Sequence, residues 1–275
     1  MNLSIGTGGL NQNFDANYWK IFLRAIEKEY YIHTDLNYKN VDQYFKKAYS
    51  ENIEIKKVII KIEINKNPIK KMINIPKQIN LILERFKIKC IDTVQICNNP
   101  NANYLNMYLL KNIFKKYKKA NIINNFFLEC FDPFSKNLNK LINDNFFQGY
   151  IFKLNCLQRS ASKNFFLNIL NSKKKIISIS PYAGGKFKNV MNSFDKELKI
   201  DLDYIMSNNG LNNYNSLNLA FLNSVKNMHS AIFGTKNFDR LNDIEKSIQE
   251  IKPLKKDDFF KILTLQDQFK SHIGF

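Results

Sequence analysis

Arginine is scarce in this chain of 275 residues, in which it occurs only at positions 24, 85, 159 and 240. Lysine therefore supplies 38 of the 42 basic residues and nearly all of the positive charge behind the formal net charge of +18. Grooves that bind nucleic acids favour the planar, bidentate guanidinium of arginine. Because the lysines are also spread over most of the chain, the sequence predicts a solvated basic surface and no nucleic-acid partner.

Long hydrophobic runs are absent too, since no stretch of about 18 apolar residues occurs. The opening ten residues lack the basic start and apolar stretch of a secretory signal, so we expect a cytoplasmic protein without a membrane partner. The four cysteines show no Cys-x-x-Cys spacing, which argues against a zinc ribbon or a dithiol redox motif. We therefore expect reduced thiols at Cys90, Cys97, Cys130 and Cys156.

Apolar residues are plentiful, at 44% of the chain, and are enough for a packed core. They alternate between short strand-like runs and longer stretches of helical spacing. The predicted strands are Leu3–Ile5, Tyr30–His33, Val58–Ile62, Thr93–Cys97, Asn125–Glu129, Tyr150–Leu154, Lys175–Ser180 and Ala231–Phe233. The predicted helices are Asp15–Lys28, Val41–Ser50, Ile75–Phe86, Leu105–Tyr117, one entered through Asp132-Pro133, Ser162–Leu170, Leu217–Lys226 and Asn237–Glu250. Residues 186–215 are predicted to be a longer irregular region.

Eight β-α units in about 250 residues are typical of a closed parallel (β/α)8 TIM barrel of the α/β class. We expect residues 1–275 to form one such barrel, with an extra helix at about 255–270. The functional site is then expected at the carboxyl ends of the strands. Two domains of about 140 residues and an open doubly wound sheet are the alternatives. Gly6-Thr7-Gly8-Gly9 after the first strand lacks the GxGxxG spacing of a dinucleotide-binding open sheet.

At these strand ends the chain resembles the aldo-keto reductases. The resemblance spans about residues 3–250, and its seven segments follow the family's order. The matching segments are Ser4-Ile5-Gly6-Thr7-Gly8-Gly9-Leu10, Ile32-His33-Thr34-Asp35-Leu36-Asn37-Tyr38, Val58-Ile59-Ile60-Lys61, Ile91-Asp92-Thr93-Val94-Gln95-Ile96-Cys97, Leu154-Asn155-Cys156-Leu157-Gln158-Arg159, Ser178-Ile179-Ser180-Pro181-Tyr182-Ala183-Gly184-Gly185 and Ser230-Ala231-Ile232-Phe233-Gly234-Thr235-Lys236.

The resemblance implies reduction of a carbonyl, with Tyr38 as the general acid and Lys61 as the cation that stabilises its phenolate. It also implies an Asp that holds the Lys and a His that polarises the carbonyl. By spacing, His33 occupies the place of that Asp and Cys97 the place of that His. Asp35, two residues from His33, could restore the ion pair if the register of the second strand slips.

The resemblance further implies a cofactor site whose nicotinamide end has changed. Glu129-Cys130 replaces the Ser-Asn pair that fixes the amide, Ile151 replaces a Gln, and Ile179 replaces the stacking aromatic residue. The phosphate end is retained in glycine turns, a helix start and two cations that suit a 2′-phosphate, so NADP is favoured over NAD. The residues implied are Ser180, Gly184, Gly185, Gly234, Thr235, Lys236 and Arg240.

The leading hypothesis is an NADP-dependent oxidoreductase that acts on a small aldehyde or ketone, with sugar-derived carbonyls among the candidates. A barrel that has lost catalysis and acts as a binding or regulatory protein is the first alternative. A redox-neutral enzyme that forms a Schiff base on Lys61 is the second. Cys97, Cys130 and Cys156 lie at neighbouring strand ends, as a zinc site would require, but strand alternation opposes inward orientation of both Glu129 and Cys130. No metal is predicted, and the sequence does not determine the oligomeric state.

Overall fold

The structure, a computed structural model, describes residues 1–10, 14–63, 74–97, 104–130, 142–192 and 194–273. In those ranges the strands are β1 (Asn2–Gly6), β2 (Tyr31–Asp35), β3 (Val58–Glu63), β4 (Ile91–Cys97), β5 (Ile123–Glu129), β6 (Gly149–Asn155), β7 (Gln158–Arg159), β8 (Lys175–Ile179) and β9 (Met228–Phe233). The helices are α1 (Ala16–Glu27), α2 (Asp42–Ser50), α3 (Ile75–Phe86), α4 (Tyr104–Lys119), α5 (Lys163–Leu170), α6 (Phe187–Asn192), α7 (Lys196–Asn208), α8 (Tyr214–Ser224), α9 (Phe238–Glu250) and α10 (Lys256–Ile273).

Eight of the strands pair in parallel around a closed ring in the order β5-β4-β3-β2-β1-β9-β8-β6, and β5 pairs with β6 to complete it. The short β7 is the exception, since it pairs antiparallel with the end of β6 in a small hairpin. The first and last strands meet through the register Leu3↔Ala231, and the Ser4 and Ser230 hydroxyl groups hydrogen-bond across this seam. The structure is thus the predicted (β/α)8 barrel, and the open doubly wound sheet is excluded.

Apolar side chains fill two separate layers. Inside the barrel, one buried side chain from each of five strands forms a compact plug: Ile59, Phe127, Ile151, Ile177 and Ile232. The strand residues that alternate with these point outward and pack against the helices. Because side chains alternate along a strand, residues two positions beyond the plug also face the barrel interior, at its carboxyl end.

The first helix of the outer ring, α1, follows from local sequence signals. In α1 the Asp15 side chain accepts hydrogen bonds from the backbone N–H groups of Asn17 and Tyr18 and so caps the first turn. Helical spacing then places Ile21 and Ala25 on the buried face.

The sequence predictions agree with the described elements apart from their ends, the short β7, which was not predicted, and one region. The prediction of an irregular region at 186–215 is wrong, because α6 and α7 lie within it. In α7 the apolar stripe is thin: only Leu198, Leu202 and Ile205 are buried in 13 residues. The helix predicted after Asp132-Pro133 lies outside the described residues.

The last helix, α10, packs against α5, α8 and the β6–β7 hairpin instead of continuing the outer ring. Its bounds, Lys256–Ile273, cover all but the first residue of the stretch 255–270 in which an extra helix was expected. None of the helices in the described ranges combines the length and the apolar character needed to span a bilayer.

Candidate active site at the carboxyl end of the barrel

Lys61 and Glu129 lie directly above the apolar plug. Each is two residues beyond a plug residue of its own strand, Ile59 in β3 and Phe127 in β5, so both side chains face the barrel interior. Both line a cavity of about 550 Å³ at this end of the barrel. The alternation that builds the core thus also places these two ionisable groups at the mouth.

The register of β2 determines which residue stands beside Lys61. Asp35 is the partner of Lys61 across the β2–β3 pair, whereas His33 is the partner of Ile59, one layer deeper. Asp35 is 3% exposed, and its Oδ1 accepts a hydrogen bond from the backbone N–H of Asn37 at 2.8 Å. The carboxylate at the level of Lys61 is therefore Asp35, although spacing along the sequence favours His33.

His33 is a buried imidazole in contact with Gln95. Its Nε2 lies 2.7 Å from Oε1 of Gln95, an acceptor, so Nε2 is assigned the proton. Burial lowers the pKa of His33 to about 4, a change that the Gln95 hydrogen bond opposes and the Lys61 charge reinforces. At neutral pH His33 is thus uncharged and cannot serve as the counter-ion of Lys61. Gln95, a partner that the sequence did not point to, also lines the cavity.

Tyr38 is held at the mouth by the turn that follows β2. Its backbone N–H donates to the carbonyl of Asp35 at 3.1 Å, and Nη2 of Arg85, from α3, donates to its carbonyl at 3.1 Å. Nη1 of Arg85 also binds the carbonyl of Leu36. The ring rests on Gly8, where a Cβ atom would lie 3.2 Å from the Tyr38 hydroxyl. Gly8 and Arg85 are therefore positioning residues that the sequence did not reveal.

The surroundings of Tyr38 keep its phenol protonated. Burial raises its pKa above 10; the negative charge of Asp35 adds to this, Lys61 opposes it, and Glu129 and Cys97 add smaller increases. Four of the groups around the mouth thus act electrostatically on one hydroxyl. A proton is available on that hydroxyl throughout the neutral range.

Cys97 and Glu129 form a hydrogen-bonded pair on neighbouring strands. They are partners in the β4–β5 register, and Sγ of Cys97 donates to Oε2 of Glu129 over 2.6 Å. Cys97 is 2% exposed and Glu129 is 1% exposed. Cys97 therefore supports a carboxylate that itself lines the cavity, an arrangement that spacing along the sequence could not predict.

The far side of the same cavity is formed by most of the residues expected at a phosphate site. They are Ser180, Gly184, Gly185, Gly234, Thr235 and Arg240. Lys236 projects toward Gly9, where a Cβ atom would lie 3.7 Å from its Cε. The mouth thus brings the expected acid–base groups and the expected phosphate-binding residues into one cavity.

The turn after β8 has an open, left-handed backbone. Gly184 and Gly185 have φ values of 64° and 86°, both are exposed, and a Cβ atom on either would meet nothing within 4 Å. Ser180 and Ala183 are also left-handed, with φ values of 55° and 51°. This is a surface that a phosphate can approach closely.

Arg240 links this cavity to a second one. The second cavity, of about 600 Å³, lies between α9 and the start of α8 and shares Tyr182, Arg240 and Ile244 with the first. Arg240 is in the first turn of α9, where its backbone N–H donates to the capping side chain of Asn237 at 3.0 Å. A guanidinium at a helix N-terminus between two cavities suits a phosphate group in the middle of an elongated ligand.

The residues fit the phosphate part of a dinucleotide better than its nicotinamide part. Glycine amides, a helix start and Arg240 are present for the phosphates. At the other end Ile179 lines the cavity without an aromatic face, and Ile151 is buried in the plug. Tyr182 is the aromatic residue that lines both cavities.

The cysteines do not gather at the mouth. Cys130 and Cys156 belong to the outer apolar layer, whereas Cys97 faces the interior beside Glu129. Within the described part of the chain, no group of three or more His, Cys, Asp or Glu side chains could hold a metal ion.

Comparison with solved structures relates this fold to known proteins. It matches a thermostable aldo-keto reductase bound to the inhibitor epalrestat, with a TM-score of 0.69 and 16% identity over 96% of this chain and 94% of the other. It also matches the holo form of an aldo-keto reductase from Bacillus halodurans, with a TM-score of 0.70 and 14% identity over 96% and 91% of the two chains. An aldo-keto reductase in complex with NADPH gives a TM-score of 0.67 and 14% identity over 96% and 83%.

No family model and no curated protein sequence matches the chain. The resemblance at the strand ends therefore extends to the whole fold, which is that of the aldo-keto reductases.

Proposed function

We propose that this chain, with its aldo-keto reductase fold, is an NADPH-dependent oxidoreductase that reduces the carbonyl group of a small aldehyde or ketone. The observation that supports this most is the shared cavity, in which Tyr38 and Lys61 face the glycine turn at 184–185 and Arg240. A proton donor and a phosphate-binding surface are the two protein components that such a reaction needs.

When bound, NADPH would supply a hydride to the carbonyl carbon. The role of Tyr38 is to donate its phenolic proton to the carbonyl oxygen, so that the product is an alcohol and the side chain is left as a phenolate. The ammonium group of Lys61 stabilises that phenolate by Coulomb attraction. Solvent then returns the proton to Tyr38.

Asp35 is proposed as the counter-ion of Lys61, in the role that the family assigns to an Asp. Its support is the register of β2 and β3, which sets Asp35 and Lys61 side by side and facing inward. A neighbouring carboxylate stabilises an ammonium ion. This favours the charged Lys61 that proton transfer uses over the neutral amine that a Schiff base requires.

The preference for NADPH over NADH is proposed from Arg240 and Lys236. Arg240 lines both cavities, and Lys236 lies at the start of the segment that leads into α9. A 2′-phosphate that both cations reach would gain charge-assisted hydrogen bonds. That one of the similar structures holds NADPH is consistent with this choice.

A barrel without catalysis, acting as a binding or regulatory protein, is the second candidate. It is favoured by the raised pKa of Tyr38, because a phenol with a higher pKa is a weaker acid. Cys97 also favours the binding protein. It occupies the position of the carbonyl-polarising histidine, and its thiol donates to Glu129.

Titration with NADPH, followed by its fluorescence and then by its oxidation with a panel of aldehydes and ketones, tests the proposal. We expect saturable binding and slow turnover in the wild type. Tyr38→Phe should bind NADPH as well as the wild type and lose turnover, because the ring remains and the proton donor is gone. Binding without turnover across the panel would favour the binding protein. Trapping of a substrate on Lys61 by borohydride without NADPH would favour the Schiff-base enzyme.

A further inference from the structure

Two buried amide side chains hydrogen-bond to the backbone directly after β8, at Ser180 and Pro181, where the turn that lines the cavity begins. We call these two residues the corner. Nδ2 of Asn155 donates to the carbonyl oxygen of Ser180 at 3.2 Å, and Nδ2 of Asn218 donates to that of Pro181 at 2.9 Å. Both asparagines are fully buried. The two carbonyls belong to the first residues of the turn that contains Gly184 and Gly185. These bonds therefore fix the position of the start of that turn.

The orientation of each amide is fixed by a second bond. Oδ1 of Asn155 accepts from the backbone N–H of Leu157 at 3.0 Å, and Oδ1 of Asn218 accepts from that of Cys156 at 3.0 Å. Each side chain thus uses its oxygen toward an N–H group and its nitrogen toward a carbonyl. An aspartate at either position would still accept from the N–H group but would set a carboxylate oxygen against the carbonyl oxygen of Ser180 or Pro181.

Helix α10 reaches this corner through Gln266. Its Nε2 donates to the backbone carbonyl of Asn155 at 2.7 Å, and its Oε1 accepts from Nη1 of Arg159 at 2.9 Å. Arg159 also donates through Nη2 to Asp267 at 2.7 Å and through Nε to the carbonyl of Ala161 at 2.8 Å. The Arg159 side chain has no exposed surface. A buried polar network therefore runs from α10 through the β6–β7 hairpin to Ser180.

The corner needs such support because its backbone is unfavourable on its own. Ser180 and Ala183 are not glycines, yet both have positive φ values. Such residues persist where the surrounding structure determines their conformation. The hydrogen bonds from Asn155 and Asn218 hold the turn in this conformation from its buried side. The opposite side of the turn faces the cavity.

We infer that Asn155 and Gln266 are positioning residues, through which helix α10 holds the Ser180–Gly185 turn in the conformation that binds the phosphates of the dinucleotide. The identity of the ligand rests on the proposed function. The coupling between α10 and the turn does not, since it follows from the hydrogen bonds alone. Loss of either side-chain amide should make the turn more mobile and lower the affinity for the ligand. The groups that transfer the proton would not change.

Two near-isosteric variants test this inference against a matched control. Asn155→Asp removes the donor to Ser180, and Gln266→Glu removes the donor to Asn155 while keeping an acceptor for Arg159. The control is Asn227→Asp, because Nδ2 of Asn227 donates to three backbone carbonyls, Ser172 at 2.8 Å among them, at the opposite end of the barrel. Hydrogen exchange of the amides at 180–186 and the affinity for NADPH are measured in all three.

We expect exchange at 180–186 to accelerate about 10-fold or more in Asn155→Asp and in Gln266→Glu, and NADPH affinity to fall about 10-fold. Each variant loses a buried donor and sets a carboxylate oxygen against a carbonyl oxygen. The kcat at saturating NADPH should stay within about 3-fold of the wild type, which separates positioning from catalysis. Asn227→Asp should be destabilised without either change at the turn. Should Asn155→Asp fail to fold, Gln266→Glu decides alone.

Unchanged exchange at 180–186 in the folded variants would overturn the inference, and so would an equal acceleration in Asn227→Asp. A wild type that binds no NADPH would instead remove the proposed function. The exchange comparison would then still decide whether α10 holds the turn.

Discussion

Sγ of Cys97 donates a hydrogen bond to Oε2 of Glu129 over 2.6 Å, on neighbouring strands at the mouth of the barrel. The contact joins a position where the aldo-keto reductase pattern has a histidine to one where it has a serine. Two departures that look independent in the sequence are therefore one interaction in the structure. They act together on the hydroxyl of Tyr38, since both raise its pKa.

Replacing Glu129 should make Tyr38 more acidic. Glu129→Gln removes one of the negative charges that raise the pKa of Tyr38, so this pKa should fall, by less than the effect of burial. The measurement is an ultraviolet titration of tyrosinate. Because the chain has 13 tyrosines, the signal of Tyr38 is obtained by subtracting the curve of the same protein carrying Tyr38→Phe. An unchanged Tyr38 pKa in Glu129→Gln would show that the carboxylate does not act on the phenol.

Asp35 and His33 should differ in their effect on turnover. Asp35→Asn keeps the oxygen that accepts from Asn37 but removes the charge beside Lys61, and we expect kcat to fall about 100-fold, within the range of general acid–base effects. His33→Gln should lower kcat less than about 3-fold, since His33 is uncharged at neutral pH. NADPH oxidation at saturating aldehyde measures both. The reverse ranking would make His33 the partner of Lys61.

Arg240 should discriminate between the two nicotinamide cofactors. Arg240→Ala is expected to weaken NADPH binding about 10- to 100-fold, the equivalent of about 1.5–3 kcal/mol for a charge-assisted contact, and to leave NADH binding nearly unchanged. Calorimetry with each cofactor measures this. Lys246→Ala is the matched control, because Lys246 lies on the same helix, α9, and pairs with Glu250 at 3.9 Å. Equal losses for NADPH and NADH would exclude contact with a 2′-phosphate.

His33 should make the fold sensitive to acid. Burial lowers its pKa from 6.5 to about 4 in the folded chain, so between these values the unfolded chain binds a proton that the folded chain does not. This contribution to the free energy of unfolding is fully present above pH 6.5 and is lost as the pH falls toward 4. It amounts to about 3 kcal/mol, at 1.36 kcal/mol per pKa unit.

Urea unfolding at several pH values measures this contribution. His33→Gln should show a shallower decline than the wild type between pH 6.5 and 4. Identical slopes would mean that the imidazole is not buried in the uncharged form.

The sequence predicted the barrel because periodicity and order are local properties that strands and helices retain in the fold. Val58-Ile59-Ile60 followed by Lys61 already indicates a buried strand with a polar end. The partner of Lys61 is a different matter, since it depends on the register between β2 and β3. Spacing along the chain favoured His33, whereas pairing between the strands sets Asp35 at the level of Lys61.

The remaining contacts at the mouth were hidden for a similar reason. Gln95 hydrogen-bonds to His33, which is 62 positions earlier in the chain. Arg85 hydrogen-bonds to the turn at 36–38, which is 47–49 positions earlier. No local pattern marks such contacts. Glu129 was visible as a departure from the family pattern, but its orientation toward the cavity and its bond to Cys97 require the closed ring.

The seam between β1 and β9 has a consequence for how the chain folds. It pairs residues 2–5 with residues 230–233, and its two serine hydroxyls are 226 residues apart in sequence. Closing a loop of that length costs about 5 kcal/mol of chain entropy before any contact is gained. Until the seam forms, β1 and β9 each present an unpaired edge to other chains. Refolding from denaturant should therefore be slow, and its yield should fall as the protein concentration rises.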